Sequence, residues 1–293
     1  MILKLWIPAF AGIQSLFLEL IVNLSSLLLA ASGIFYLAAF FLHLGSFSGA
    51  KMNRAAFAFL RVGFLVSTFF LAAEAIDRGF FLPVANLAQA LAFFAWSLAF
   101  IYLVLLVKVQ SESFGLILSP ILTLLVFAAF FSKGIQDSRP LNPALLNPYF
   151  VVHIISAFFS YACFTLSFSA GLLYLIQHRQ LKTRNAGTWY HKLPSLEELE
   201  RLIYQPILWG APLLIVTLAV GFIWSKASFG EFWIWDPKTL ATAVTAILYL
   251  AIVTLRGTSF LRGRQAAVLS LIAFAFVIVS FVGVRFIASS HNL

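Results

Sequence analysis

The dominant pattern along the chain is a series of long apolar runs separated by short polar segments. A helix needs about 20 mostly apolar residues to cross about 30 Å of hydrocarbon. Runs of that length occur at roughly 21–44, 55–76, 84–107, 114–132, 150–176, 204–224, 239–255 and 266–288. The pattern predicts an all-α polytopic membrane protein of about eight transmembrane helices, forming a single integral membrane domain over residues 1–293.

Three segments outside these runs have their own predicted character. Residues 1–20 lack a small-residue cleavage pattern, so we predict an interfacial lead-in to the first span instead of a cleaved signal peptide. Residues 178–203 are predicted to form a cytoplasmic loop with a short amphipathic helix, because Ser195 and Glu198 form a capping box. Residues 225–238 are predicted to be an external loop between the sixth and seventh spans.

The amino-acid composition is also that of an integral membrane protein. Hydrophobic residues make up 62% of the sequence and charged residues only 10%, and the mean hydropathy is +1.00. Soluble proteins carry about 25% charged residues. The composition therefore excludes an ordinary soluble domain.

The distribution of positive charge predicts the orientation. Of the 19 Lys and Arg residues, 12 fall on one set of loops, and cytoplasmic loops are the ones that retain such residues. We therefore predict a protein of the bacterial inner (cytoplasmic) membrane with both termini and the 225–238 loop extracytoplasmic. The net charge of +9 comes mostly from these cytoplasmic loops, where anionic lipid headgroups attract it, so it does not indicate nucleic-acid binding. No phosphate-binding glycine motif occurs, so no nucleotide partner is predicted either.

The residues best suited to bind a cofactor fall on the predicted outer side of the membrane. The stretch FGEFWIWDPKTL places several aromatic rings next to an acid and a base, and two histidines, His153 and His291, fall on the same side. Tryptophan rings offer broad faces for stacking, and two imidazoles can ligate an iron held in a flat macrocycle. The pattern favours a haem site. Its candidate residues in the stretch are Phe229, Phe232, Trp233, Trp235, Asp236 and Lys238.

Cations on the same side are candidates to bind the haem propionates, although each is also explained as an interfacial anchor. They are Lys226, Lys238, Arg139 and Arg285. Zinc is an alternative metal, with Asp236 as a third ligand. The single cysteine, Cys163, excludes an internal disulfide or a Cys-x-x-Cys pair, so any thiol chemistry must come from a partner.

Other polar and aromatic residues within the apolar runs have plainer interpretations. Trp96, Trp209 and Trp224 are interpreted as members of interfacial aromatic belts. His43 lies near the end of its run, where snorkelling or a backbone hydrogen bond would satisfy it, and Glu74 is predicted to be interfacial.

The stretch at 229–240 resembles the tryptophan-rich signature, approximately WGxxWxWDPKE, of the CcsA/CcmC superfamily of haem-handling proteins in cytochrome c biogenesis, and most closely its CcsA and HemX-like members. Segments 78–97, 153–182, 193–225 and 281–293 extend the resemblance.

This resemblance implies that His153 and His291 are axial ligands of haem b, with Trp233, Trp235 and Asp236 in the loop that holds it. It also implies presentation of the haem to apocytochrome c for thioether attachment, as in a cytochrome c synthetase, together with a CcsB-like membrane partner and a thiol-reducing protein.

The chain departs from the family pattern at three positions. Phe229 replaces a tryptophan, Thr239 replaces a glutamate, and Thr254 stands where members that move haem across the bilayer have an intramembrane histidine. Two functions stay open at this point: a haem-presenting component of a synthetase, and a HemX-like non-catalytic regulator or assembly factor. A small-molecule transporter is disfavoured because no paired, broken half-helices are found.

Overall fold

The computed structural model describes residues 3–48, 52–106, 112–133, 143–183, 192–232, 237–257 and 261–279. Within these ranges the chain forms eight α-helices and one short 3-10 helix, Pro143–Leu146, and no strand. The α-helices are α1 Leu3–Phe47, α2 Asn53–Arg78, α3 Leu87–Leu106, α4 Glu112–Lys133, α5 Pro148–Lys182, α6 Leu196–Phe229, α7 Pro237–Gly257 and α8 Arg264–Ile278.

The predicted all-α polytopic membrane fold is confirmed. Seven helices of the described chain, α1 to α7, are long and apolar enough to cross a bilayer. The eighth, α8, has 15 described residues, and the run predicted for it continues to 288, outside the described ranges. Helices dominate because a chain in hydrocarbon must satisfy its backbone hydrogen bonds within each segment.

Two predicted boundaries differ from the structure. The segment predicted as a separate lead-in is helical from Leu3 and continuous with the first span in α1; its depth in the membrane stays a prediction. The predicted short amphipathic helix is the first part of α6, a single helix of 34 residues. The capping signal was correct, since the Ser195 hydroxyl accepts from the Glu198 N–H at 3.2 Å, but no stop signal separates this start from the apolar run.

The helices pack in two groups, α1–α4 and α5–α8, joined chiefly by the contact of α3 with α5. Within the second group α5 is central and contacts both α6 and α8. Small residues permit these close crossings, as is usual where lipid supplies no hydrophobic driving force. At Gly210 of α6, an added Cβ would lie 2.7 Å from Cε1 of Phe164, and Ser160 donates to the Gly210 carbonyl at 2.8 Å.

We expect Gly171→Ala to weaken the crossing of α5 with α8. The new methyl group would lie 2.6 Å from Oγ of Ser270 and 3.2 Å from the carbonyl oxygen of Ala267, so the helices must separate. Overpacking of this kind costs about 1–3 kcal/mol, which a lower melting temperature in detergent would report. Gly45→Ala is the matched control, because its nearest atom would be the flexible Met52 sulfur at 3.1 Å; equal melting temperatures for the two variants would contradict the prediction.

The interpretation of His43 as a snorkelling or hydrogen-bonded residue is wrong. Its side chain is 0% exposed, and neither ring nitrogen has a hydrogen-bond partner within the described part of the chain. The ring lies edge-on to Phe57 at 5.0 Å and fills the space above Gly115, where a Cβ would come within 2.2 Å of Nε2. Packing of α1 against α4 therefore overrides the tendency of a terminal histidine to reach water.

The interpretation of Trp96 as a belt residue is wrong. Trp96 is the tenth of 20 residues in α3, and its indole N–H donates to the Thr68 hydroxyl of α2 at 2.8 Å, so a neighbouring helix satisfies this polar group within the span. Glu74 is only 3% exposed, and its Oε2 accepts a hydrogen bond from Nε2 of Gln89 at 2.8 Å; its interfacial depth stays a prediction.

Candidate functional site

The site begins at the amino-terminal end of α5. Asn147 caps this helix, with its side-chain oxygen accepting from the Tyr149 N–H at 3.0 Å, and Pro148 occupies the first helical position. Both are strong start signals. They place His153 in the second turn of α5, beside the last turns of α6 and the first turns of α7.

The His153 imidazole is held in one tautomer. Its Nδ1 lies 2.8 Å from the carbonyl oxygen of Thr217. Because a carbonyl can only accept, Nδ1 carries the proton and the lone pair resides on Nε2. Ligating histidines are commonly oriented by this type of hydrogen bond. The Thr217 hydroxyl in turn donates to Oγ of Ser156 at 2.9 Å, so α5 and α6 are fastened together at this level.

A glycine on α6 makes room for the ring. A Cβ at Gly221 would lie 2.8 Å from Nδ1 and 2.9 Å from Cε1 of His153. Real Cβ atoms do not approach that closely, so the absence of a side chain at 221 is required for this position of the imidazole. Gly221 was not singled out from the sequence, where it is one of 16 glycines.

Trp224 also contacts the histidine. Its ring stacks on the His153 imidazole with centroids 5.8 Å apart and an interplanar angle of 26°. Its Nε1–H donates to the carbonyl oxygen of Ala144 at 2.9 Å, which ties the 3-10 helix to α6. The interpretation of Trp224 as a mere belt residue therefore missed its contact with the site. Trp224 lies one helical turn after Gly221 on the same face of α6, but this spacing is informative only once the structure places His153 against that face.

These elements enclose a cavity of about 280 Å³. Phe229 and Phe232 line it, as do Thr239 and Thr242 of α7 and Ser225 of α6. The Ser225 hydroxyl oxygen is buried without a hydrogen-bond partner among the described residues, so the cavity wall holds an unsatisfied polar atom. A mostly apolar cavity with a few convergent polar groups is typical of a cofactor site.

The structure brings together three of the predicted site residues: His153, Phe229 and Phe232. Lys226, a candidate propionate partner, lies at the same end, with Nζ 5.2 Å from the Phe232 ring centroid and donating to the Gly230 carbonyl at 2.8 Å. Lys238 belongs to the first turn of α7. The remaining predicted site residues lie outside the described ranges, and their roles stay predictions: Trp233, Trp235, Asp236, Arg139, Arg285 and His291.

The described donor set suits a haem better than a small metal ion. A neutral imidazole with its lone pair on Nε2 is a haem-iron ligand, and aromatic rings line the space beside it. Across the described ranges no three His, Cys, Asp or Glu side chains are grouped to hold a metal ion. Thr254 offers no substitute ligand, because a threonine hydroxyl is not among the ligands that hold haem iron. Its hydroxyl donates within its own helix, at 3.1 Å from the carbonyl oxygens of Leu250 and Ala251.

Comparison with known proteins identifies the family. The profile of the cytochrome C assembly protein family matches residues 84–291. The chain belongs to this family. The matched region contains α3 to α8 and every residue of the cavity described above.

Relatives match over most of their length. Protein HemX of Bacillus subtilis is 30% identical over 253 residues, which is 86% of this chain and 89% of that protein. HemX of Brevibacillus brevis is 29% identical and covers 90% of this chain and 94% of its own length. The cytochrome c biogenesis protein CcsA of Guillardia theta is 28% identical over 237 residues and covers 75% of this chain and 78% of that protein.

A solved structure shares the fold. The cytochrome c haem lyase CcmF superposes with a TM-score of 0.62 at 18% sequence identity. The match covers 89% of this chain and 46% of the lyase chain, so this assembly protein corresponds to about half of the larger molecule. At this identity the likeness concerns the fold alone.

Proposed function

We propose that the protein binds haem b at the extracytoplasmic end of α5, α6 and α7 and presents it to apocytochrome c. Membership of the cytochrome c assembly family supports haem handling in cytochrome c biogenesis. The single observation that carries the finer proposal is the orientation of His153, whose proton is committed to the Thr217 carbonyl while its ring lines an aromatic cavity.

The roles of the chain are binding and positioning. His153 would hold the haem iron, with His291 proposed as a second ligand. Trp224 and Gly221 hold the imidazole in place, and Phe229 and Phe232 would contact the bound haem. Trp233, Trp235 and Asp236 are proposed to contact it from the loop before α7. Bound haem supplies the vinyl groups to which the thiols of apocytochrome c add, and the protein contributes their placement.

Cations near the cavity are proposed to meet the haem propionates. Lys226 is placed at this end of α6, and Lys238 lies in the first turn of α7; Arg285 is proposed by resemblance. A CcsB-like membrane partner would complete the synthetase, and a thiol-reducing protein would keep the apocytochrome cysteines reduced, because the chain's one cysteine, Cys163, is buried in α5.

A second candidate function is that of a HemX-like regulator or assembly factor that binds haem without attaching it. Two observations favour it: the extensive match to HemX proteins and the presence of Thr254 in place of an intramembrane histidine. Both candidates use the same cavity, and only the first of them transfers the bound haem to apocytochrome c.

The proposal is tested by purification from haem-replete cells and then by reconstitution. We expect a bis-histidine haem spectrum, and transfer of that haem to a Cys-x-x-Cys-His apocytochrome when the CcsB-like partner is added. A coloured protein that never forms the thioether product would favour the regulator. A colourless protein that also fails to take up added haem would contradict both candidates.

A further inference from the structure

A second large cavity lies at the opposite end of α6 from His153. It is a groove of about 860 Å³ between the first turns of α6, the last turn of α7 and the segment before α8. Six charged side chains line it: Glu197, Glu198, Glu200, Arg201, Arg256 and Arg262. The haem proposal makes no use of these residues.

Helix lengths place this groove at the level of lipid headgroups. The 21 residues of α7 span about 31 Å, close to the roughly 30 Å of the hydrocarbon core, so Arg256 at its end reaches the membrane surface. The 34 residues of α6 extend for about 51 Å. Because α6 ends beside the start of α7, its excess length lies at the amino-terminal end, where the groove is.

An ion pair between Arg256 and Glu200 joins two walls of the groove. Arg256 donates to the Glu200 carboxylate and to the carbonyl oxygen of Leu261 at 3.3 Å, and its guanidinium carbon lies 5.6 Å from the Tyr204 ring centroid. These contacts fasten α6 to α7 and neutralise one charge of each sign. The walls are therefore pre-organised, which lowers the entropic cost of binding a ligand.

The other charged side chains of the lining are two acids and two bases. Glu197, Glu198 and Arg201 lie on the α6 wall, and Arg262 lies on the opposite wall. In the described chain, the side chains of the three α6 residues are in no ion pair. A purely anionic ligand would be repelled by the two carboxylates and a purely cationic one by the two guanidinium groups. A zwitterion with a phosphate and an ammonium group complements both signs.

An apolar side chain marks the membrane edge of the groove. Leu208 lines it one turn below Tyr204 and is 42% exposed, so it can contact the first methylene groups of an acyl chain. We propose that this groove binds the headgroup of a zwitterionic aminophospholipid, such as phosphatidylethanolamine. Its phosphate contacts Arg201 and Arg262, and its primary ammonium contacts Glu197 and Glu198. The proposal does not depend on haem binding.

The test is lipid add-back to the delipidated full chain, read by native mass spectrometry. We expect phosphatidylethanolamine to bind at least about fivefold more tightly than phosphatidylglycerol, which lacks the ammonium group, or phosphatidylcholine, whose quaternary ammonium cannot donate. The double variant Glu197→Gln/Glu198→Gln should lose this preference, and Arg262→Gln should weaken binding of all three lipids. Arg264→Gln, at an exposed arginine outside the groove, is the matched control.

Three results would overturn the proposal. The first is equal binding of the three lipids by the unaltered chain. The second is an unchanged lipid preference in a glutamine double variant that remains monodisperse and helical. The third is full displacement of the lipid by equimolar glycerophosphoethanolamine, which would assign the groove to a soluble zwitterion instead of a membrane lipid.

Discussion

His153→Ala should purify with at least about tenfold less haem than the unaltered protein, because it removes the proposed iron ligand. The change leaves a space bounded by Trp224 and Gly221 and deletes the hydrogen bond to the Thr217 carbonyl. Haem content per chain, measured as the pyridine haemochrome, reports the loss. Added imidazole should restore part of the spectrum, since the vacated space accepts a free ring in the same position.

A histidine on the same helix provides the control. His178, near the other end of α5, stacks on Tyr174 at 6.1 Å and is remote from the cavity. His178→Ala should keep the haem content of the unaltered protein. If His153→Ala retains its haem, or if both variants lose it equally, His153 is not the ligand, and the proposed site is wrong.

Gly221→Ala should have the second largest effect, although it changes no ligand. The added methyl would lie 2.8 Å from Nδ1 of His153, so the imidazole must leave the Thr217 carbonyl or α6 must move away from α5. Loss of an orienting contact of this kind lowers metal or cofactor affinity about 10–100-fold. Haem titration of the apoprotein measures this change.

A double-mutant cycle separates a local collision from general destabilisation. If the methyl group collides with the imidazole, the stability cost of Gly221→Ala should shrink by about 1 kcal/mol or more in a His153→Ala background. An equal cost in both backgrounds, or unchanged haem affinity in the single variant, would show that the two residues do not interact in the way the structure indicates.

The fold class could be predicted from the sequence because the signal is local. A span is a contiguous run of about 20 apolar residues, and each such helix satisfies its own backbone, so α1 to α7 were all anticipated. Boundaries were less predictable. A cap such as Ser195 indicates where a helix begins. The sequence could not show that α6 continues from there into the membrane, because the helix runs through Pro206 and Pro212, and proline ordinarily kinks or ends a helix.

The candidate site was only partly predictable. His153, Phe229 and Phe232 were recognised from their residue types and from resemblance to the family. Gly221 and Ser225 were not, because a glycine or serine in an apolar helix has no distinctive sequence signal. Their importance comes from the ring or cavity that the neighbouring helix places against them.

The buried polar residues were also identified from the sequence, but their burial was not predicted. His43 and Glu74 were identified as polar groups near the ends of spans, and position along the chain alone predicts contact with water. Their burial depends on α4 packing against α1 and on Gln89 of α3 reaching Glu74, which are contacts between helices distant in sequence.

By itself the sequence determined that this is a helical membrane protein, and which imidazole and aromatic residues were candidates for a haem site. Hydrophobicity and residue chemistry are properties of each segment alone, which is why both could be inferred without coordinates. Only the tertiary structure decided that Thr217 sets the His153 tautomer and that Trp224 stacks on its ring. It likewise decided that α6 and α7 enclose a charged groove, because these relations arise when separate helices pack.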